Sequence, residues 1–198
     1  MINSATGMHS GTGLPVDSGT SGKTALEETF DEGFFELRFS PSVALVATVR
    51  RFVTEFYAQV LGNADLSGRL AMATHEMLEN TVHYSSDGRG AIAIAMKKQP
   101  ESVEIRIETT NSVVPDRLAR AKEALDGVVG ASDPNVHYLS LVRRAAKRTD
   151  GGSGLGLGRI RAEADLDVSY RVEGDQLTIR VEGKFDLPAA PVSIRVEK

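Results

Sequence analysis

From Phe34 onward the apolar positions follow two rhythms. Phe34-Phe-Glu-Leu-Arg-Phe39 predicts a strand, and Ser40-Pro41 reads as a helix cap with proline at the first helical position. Val46, Val49, Phe52, Val53, Phe56 and Val60 recur every three or four residues, which predicts a helix with one buried stripe. Gly62-Asn63 breaks that pattern. A second helix is predicted from about Leu66 to Tyr84, with Leu66, Leu70, Ala73, Met77, Leu78 and Val82 on its apolar side, ending at Ser85-Ser-Asp-Gly88.

The period then changes to two. Ala91 to Met96 alternates Ala with Ile and Met, and Val103, Ile105 and Ile107 alternate with Glu104, Arg106 and Glu108, predicting two strands. The segment from Thr109 to Asp150 carries two amphipathic stretches, Pro115 to Val128 and Asp133 to Lys147. Gly151-Gly-Ser-Gly-Leu-Gly-Leu-Gly158 follows and runs into a helix, Arg159 to Ala164. Val168 to Val172 and Gln176 to Val181 read as strands joined across Gly174-Asp175, and Val192 to Val196 as a further short strand. Helices and strands do not alternate one for one. The expected class is therefore α+β, a two-layer sandwich with a mostly antiparallel sheet covered by helices, rather than a doubly wound sheet.

Composition narrows the function. The chain has 198 residues, 23 of them Lys or Arg and 27 Asp or Glu, for a net charge of −4. A dedicated nucleic-acid binder shows a basic excess or stripe, so nucleic acid is not the expected partner. The absence of cysteine excludes a disulfide framework, a thiolate zinc site and a cysteine nucleophile. His75 and His83 are not at metal-ligand spacing. No apolar run reaches the roughly 20 residues of a membrane helix, and the N-terminus lacks the apolar core of a secretory signal. No membrane association is expected, and a cytoplasmic setting is. Residues 1–25 hold four Ser, four Thr and five Gly, a composition that cannot pack a core, and read as a flexible tail before a single domain over 26–198. Gly19-Thr-Ser-Gly22-Lys23-Thr24 in that tail falls short of a P-loop, because Asp17 stands where the first glycine is required and no strand precedes it.

Two constellations carry chemistry. On the second helix Glu76, Asn80 and His83 stand at i, i+4 and i+7 and share one face. An Asn oxygen can ligate Mg²⁺, a carboxylate can take a proton from a hydroxyl or water, and an imidazole can donate to a phosphate oxygen. A solvated polar face is the plain alternative. The second constellation is the glycine loop. Gly152, Gly154, Gly156 and Gly158 let backbone N–H groups approach a ligand, and the following helix adds free N–H groups and a partial positive charge, together an anion cradle. Leu155 and Leu157 are apolar anchors that a plain linker would lack.

E-x-x-x-N on a helix, two strands, a long insert and then G-x-G-L-G-L opening a helix resembles the GHKL superfamily, the ATP-binding fold of histidine kinases, type II topoisomerases and anti-sigma-factor serine kinases. Asn80-Thr-Val-His83 resembles its N-box and Gly151 to Gly158 its G2 box, over about residues 34 to 183. Within the superfamily the chain looks most like the stand-alone serine/threonine kinases of bacterial partner-switching systems, since it has no dimerisation and phosphoacceptor helix pair.

The resemblance implies ATP and Mg²⁺ as cofactors. Asn80 would ligate Mg²⁺, and Glu76 would activate a partner's hydroxyl. Gly152, Gly154, Leu155, Gly156 and Leu157 would hold the phosphates, with His83 donating to one of them. The insert would be the ATP lid, and Arg148, in the cluster Arg143, Arg144, Lys147 and Arg148, would neutralise transition-state charge. One departure stands out. Where the family's G1 box places an adenine-reading Asp and glycines, this chain reads Glu108-Thr-Thr-Asn111-Ser112, leaving Asn111 or Thr109 as acceptors for the adenine amine. The implied function is phosphorylation of a small regulatory protein, an STAS-like anti-sigma-factor antagonist or a sigma factor, by a chain that is a homodimer in many such proteins. The alternative is a non-catalytic module of the same fold that sequesters its partner.

Overall fold

The computed structural model describes residues 33–147 and 155–187. Its elements in chain order are β1 (Gly33–Phe39), α1 (Val43–Leu61), α2 (Ala64–Tyr84), β2 (Gly90–Lys98), β3 (Ser102–Ser112), α3 (Pro115–Val129), α4 (Pro134–Ala145), α5 (Gly156–Glu163), β4 (Asp167–Glu173) and β5 (Gln176–Asp186). Five strands form one sheet in the order β1-β2-β3-β5-β4, every neighbouring pair antiparallel. The α+β sandwich expected from the sequence is the observed fold.

Alternation along the strands sets the two faces. Phe35 pairs in register with Ile94, Ile94 with Ile107, Ile107 with Val181 and Val181 with Val168. That row runs across the whole sheet on its covered side, and Ile94, Ile107 and Val181 are fully buried. The intervening residues form the other face, where charged side chains pair across and along strands. Arg106 meets Glu182 at 2.8 Å and Arg180 meets Glu108 at 2.9 Å. A cleft of about 800 Å³ lies on this polar face, floored by Ala91 and Ala93 and walled by Glu36, Arg38, Arg106 and Glu108.

The helices lie over the apolar face. α1 contributes Val46, Val49, Val53 and Tyr57 to the core, with Phe52 laid against Phe35 of β1 at 5.0 Å between ring centroids. Tyr57 is fully buried and shares a 3.0 Å hydrogen bond with Thr74 of α2, which gives its hydroxyl the partner that burial demands. Gly62 closes α1 in the left-handed conformation at φ 61°, and Asn63 accepts from the Leu66 N–H to open α2.

Four sequence expectations shift. α5 starts at Gly156, three residues before Arg159, so the end of the glycine run is already helical. The cap of α1 is Ser42, whose side chain accepts from the Leu45 N–H, not Ser40, so Pro41 lies ahead of the helix. β3 continues through Thr109, Thr110 and Asn111 to Ser112, because β5 pairs with it to that end, and the connecting segment starts later than its sequence suggests. β5 runs on to Asp186 along β3. The tail over residues 1–25, the near-P-loop within it and the strand expected over Val192 to Val196 all lie outside the described residues.

Candidate functional site

α2 is the backbone of the candidate site. Its apolar residues Leu70, Ala73, Met77 and Leu78 are buried against the sheet and α1, which turns the row Glu76, Asn80 and His83 away from the core. The row climbs out of the protein along the helix. The Glu76 side chain is 16% exposed, Asn80 is half-buried, and His83 is exposed at the C-terminal end, its ring edge-on to Tyr84 at 4.8 Å.

Glu76 meets the glycine loop. The start of α5 packs so closely on α2 that a Cβ on Gly156 would lie 2.5 Å from the Glu76 Oε2. Only glycine fits there without moving the carboxylate. Gly158, one turn's fraction further, faces α4, where a Cβ would meet Leu141 Cδ1 at 2.6 Å. Leu157 is buried in the core and anchors the turn, as the sequence suggests of it, and Leu155 precedes the helix half-buried. Gly152, Gly154 and Arg148 lie outside the described residues. Arg143, Arg144 and Lys147 are exposed at the end of α4 and just beyond it.

The other carboxylate oxygen of Glu76 is engaged by a residue the sequence reading passed over. Arg159 Nη1 donates to Glu76 Oε1 at 3.2 Å, and Arg159 Nε donates to Glu163 Oε2 at 2.8 Å. One guanidinium therefore bridges α2 and α5. The hydrogen bond Arg159 donates to Glu163 first, with the one it donates to Glu76 adding to it, holds Arg159 above its ordinary basicity against the opposing effect of burial. Tyr138 of α4 lies close by, and its phenol is pushed up by desolvation first and by the Glu163 charge second. Half of this cluster was legible, since Arg159 and Glu163 are i and i+4 on one helix. The link from Arg159 to Glu76, 83 residues apart, was not.

Among the buried polar atoms without a protein partner are His75 Nδ1 and the Asn80 amide nitrogen on α2 and the Thr109 hydroxyl on β3. Thr109 interrupts an otherwise apolar row on the covered face, in register with Ile92 on one side and Ile179 on the other, and is 1% exposed. A buried hydroxyl without a partner costs about 1–3 kcal/mol relative to a satisfied one, so the fold alone gives no reason for it. Asn111, the other candidate for adenine, is buried with its amide nitrogen on the Ser112 carbonyl at 3.2 Å.

The donor set fits Mg²⁺ in a particular way. No cluster of three or more His, Asp or Glu side chains among the described residues could hold a metal ion. A cation here would draw its ligands from one amide oxygen and from phosphates, the arrangement Mg²⁺ favours because it keeps waters and shares substrate oxygens. The orphaned Asn80 amide nitrogen is a donor and suits a phosphate oxygen, leaving the amide oxygen for the cation, and the glycine-only contact at Gly156 leaves the helix start open to phosphate.

An antiparallel five-stranded sheet covered on one face by helices, with a Glu/Asn helix abutting a glycine-loop helix, defines a GHKL-type sandwich. The chain belongs to the histidine kinase-like ATPase domain family, whose model matches residues 39–181. Membership implies an ATP site. A chain of the SiaB–SiaC complex from Pseudomonas aeruginosa shares the fold at a TM-score of 0.54, with 14% sequence identity, covering 75% of this chain and 88% of that one. The mycobacterial sensor histidine kinase MprB superposes at a TM-score of 0.36 with 16% identity, covering 79% of this chain and 100% of that one. No curated protein matches the sequence. Among the described residues no helix is long and apolar enough to cross a membrane.

Proposed function

We propose that the chain binds MgATP between α2 and the glycine loop and transfers the γ-phosphoryl group to a Ser or Thr hydroxyl of a small partner protein. The observation that carries this reading is the contact between Glu76 and Gly156. It sets a carboxylate against the start of a helix whose free N–H groups suit phosphate oxygens, which is the arrangement phosphoryl transfer needs. Glu76 would orient and deprotonate the acceptor hydroxyl. Asn80 would ligate Mg²⁺ through its amide oxygen, and the bound ion would neutralise charge on the phosphates. Gly152, Gly154, Leu155, Gly156 and Leu157 would supply backbone to the phosphates, with His83 and Arg148 as further donors. The orphaned Thr109 hydroxyl or the Asn111 amide oxygen would accept from the adenine amine.

A small regulatory protein is the proposed acceptor, an STAS-like antagonist or a sigma factor. The fold is shared with a chain that forms the SiaB–SiaC complex, which supports a protein partner without naming one. A homodimer is the proposed assembly.

Titration calorimetry of ATP, with and without Mg²⁺, tests the nucleotide site. Mg²⁺-dependent binding that Asn80→Ala weakens at least tenfold is expected. No heat at millimolar ATP overturns the reading. A second reading, a partner-sequestering module without catalysis, is favoured by Thr109-Thr-Asn111 in place of an acid and glycines. It wins if partner binding ignores both ATP and Asn80→Ala.

A further inference from the structure

Three side chains from two helices form one continuous chain of hydrogen bonds and ion pairs. Glu163 on α5 accepts from Arg159 Nε at 2.8 Å, and Arg159 Nη1 donates to Glu76 on α2 at 3.2 Å. α4 has no buried residue of its own and lies against α5 through Tyr138 and Leu141, which close over Gly158. Its position is therefore set largely by the same helix that carries Arg159 and Glu163. The second oxygen of Glu76 faces Gly156, where any side chain would collide with it. Glu76 is thus fixed on one side by a missing Cβ and on the other by a guanidinium.

We propose that Arg159, itself held by Glu163, is a positioning residue that sets the orientation of the Glu76 carboxylate. The proposal rests on the reading of Glu76 as the residue that activates the acceptor. Arginine suits the task because its planar fork reaches two carboxylates at once, which the single point charge of lysine does not. Arg159 and Glu163, both half-exposed, hold one another on α5, so the guanidinium reaches Glu76 from a helix whose start is itself pressed against that carboxylate.

Two experiments on the full chain decide it. The first needs no nucleotide. Thermal unfolding is measured for Arg159→Gln, Glu76→Gln and the double variant. Arg159 and Glu76 share a 3.2 Å hydrogen bond, so melting shifts that fail to add by at least a third are expected. Additive shifts overturn the coupling. The second uses MgATP as probe, with calorimetric affinity and ADP formation measured on wild type, Arg159→Gln and Arg159→Lys. Arg159→Gln is expected to lower turnover at least tenfold while changing the MgATP dissociation constant less than threefold. Arg159→Lys should recover little of the loss. Full recovery by lysine overturns the positioning role, because charge alone would then suffice. A loss of affinity parallel to the loss of turnover overturns it too, and makes Arg159 a phosphate ligand. A wild-type chain that binds no MgATP overturns the ATP reading instead, and the coupling then stands or falls on the melting cycle.

Discussion

α3 and α4 are neighbours in sequence, similar in length and alike in their helical patterning, yet they are held to the protein in different ways. α3 buries Ala121, Leu125 and Val128 in the common core and is tied at both ends and along its side. Arg117 donates to the His83 carbonyl at 3.0 Å, Tyr170 of β4 donates to Asp126, and Arg161 of α5 donates to the carbonyls of Val128 and Ala131 at its C-terminal end. α4 buries nothing completely, and its outward side shows Val136 at 64%, Leu139 at 53% and Val142 at 38% exposure. The first helix belongs to the scaffold. The second rests on α5 by a few contacts that sit next to Glu76. In a family of ATPase domains this places the less anchored of the two beside the glycine loop, where a low local stability permits rearrangement.

The largest way to break that contrast is to hollow out the anchor of α3. Leu125 is 1% exposed, and Leu125→Ala removes its buried side chain from the core. An unfolding loss of about 2–5 kcal/mol is expected from the lost transfer energy and residual cavity. Urea titration followed by circular dichroism reads it directly. A loss below about 1 kcal/mol would mean that α3 is as weakly attached as α4, since a loosely packed site collapses around the deletion.

Next in size is Arg161→Met, which keeps the apolar stem and removes the guanidinium that serves two carbonyls at the end of α3. About 1–2 kcal/mol is expected, because the carbonyls lose a charged donor but can turn to water at a helix end. Hydrogen exchange should place the opening within the last turn of α3 and the α3–α4 connection. Uniform loss of protection through α5 and β4 would mean that Arg161 supports the whole layer instead.

A smaller effect is expected where α4 touches α5. Gly158→Ala sets a Cβ 2.6 Å from the Leu141 Cδ1. The obstacle is the far end of a flexible side chain on a helix with no buried residue, so Leu141 and α4 give way. About 1 kcal/mol is expected, at the low end for overpacking, with the shift changes in a ¹⁵N spectrum confined to α4 and α5. Gly156→Ala differs in kind, since its Cβ meets the Glu76 carboxylate that Arg159 holds in place. The same one-methyl change thus reports on α4 at one glycine and on the candidate site at the other.

The same contrast explains what could be read from the sequence. The elements of the core were legible because burial imposes a period. Val46 to Val60 showed a helix, Val103 to Ile107 a strand, and the Glu76–Asn80–His83 row followed from where Met77 and Leu78 must point. The cap of α1 was misplaced by two residues because Ser40-Pro41 and Ser42 offer the same chemistry, and only the hydrogen bond to the Leu45 N–H decides between them. The end of β3 was misread because Thr109-Thr-Asn111-Ser112 is polar and looks like a loop, whereas pairing to β5 carries the strand through it. At the site, glycine spacing marked Gly156, but nothing local marked its neighbour as Glu76. Arg159 escaped notice for the same reason. Its partner on its own helix is visible in the sequence, and a partner 83 residues away is fixed only by the packing of α5 on α2.

The smallest expected effect tests the contrast most sharply. Leu139 sits on α4 with half its surface in water, between Val136 and Val142 on the same outward side. In an anchored helix, Leu→Ser would remove buried area and cost several kcal/mol. Here the side chain gives up little on folding, so Leu139→Ser should change unfolding stability by no more than about 0.5 kcal/mol, as for surface positions generally. Amide exchange should agree: α4 should open at a lower free energy than α3 in the wild-type chain and remain there in the variant. A loss above about 2 kcal/mol would show that the Val136–Leu139–Val142 side is covered in solution, by a second copy or by another part of the chain. α4 would then be anchored like α3, from the outside, and its freedom to move against Arg159 and Glu163 would depend on whatever covers it.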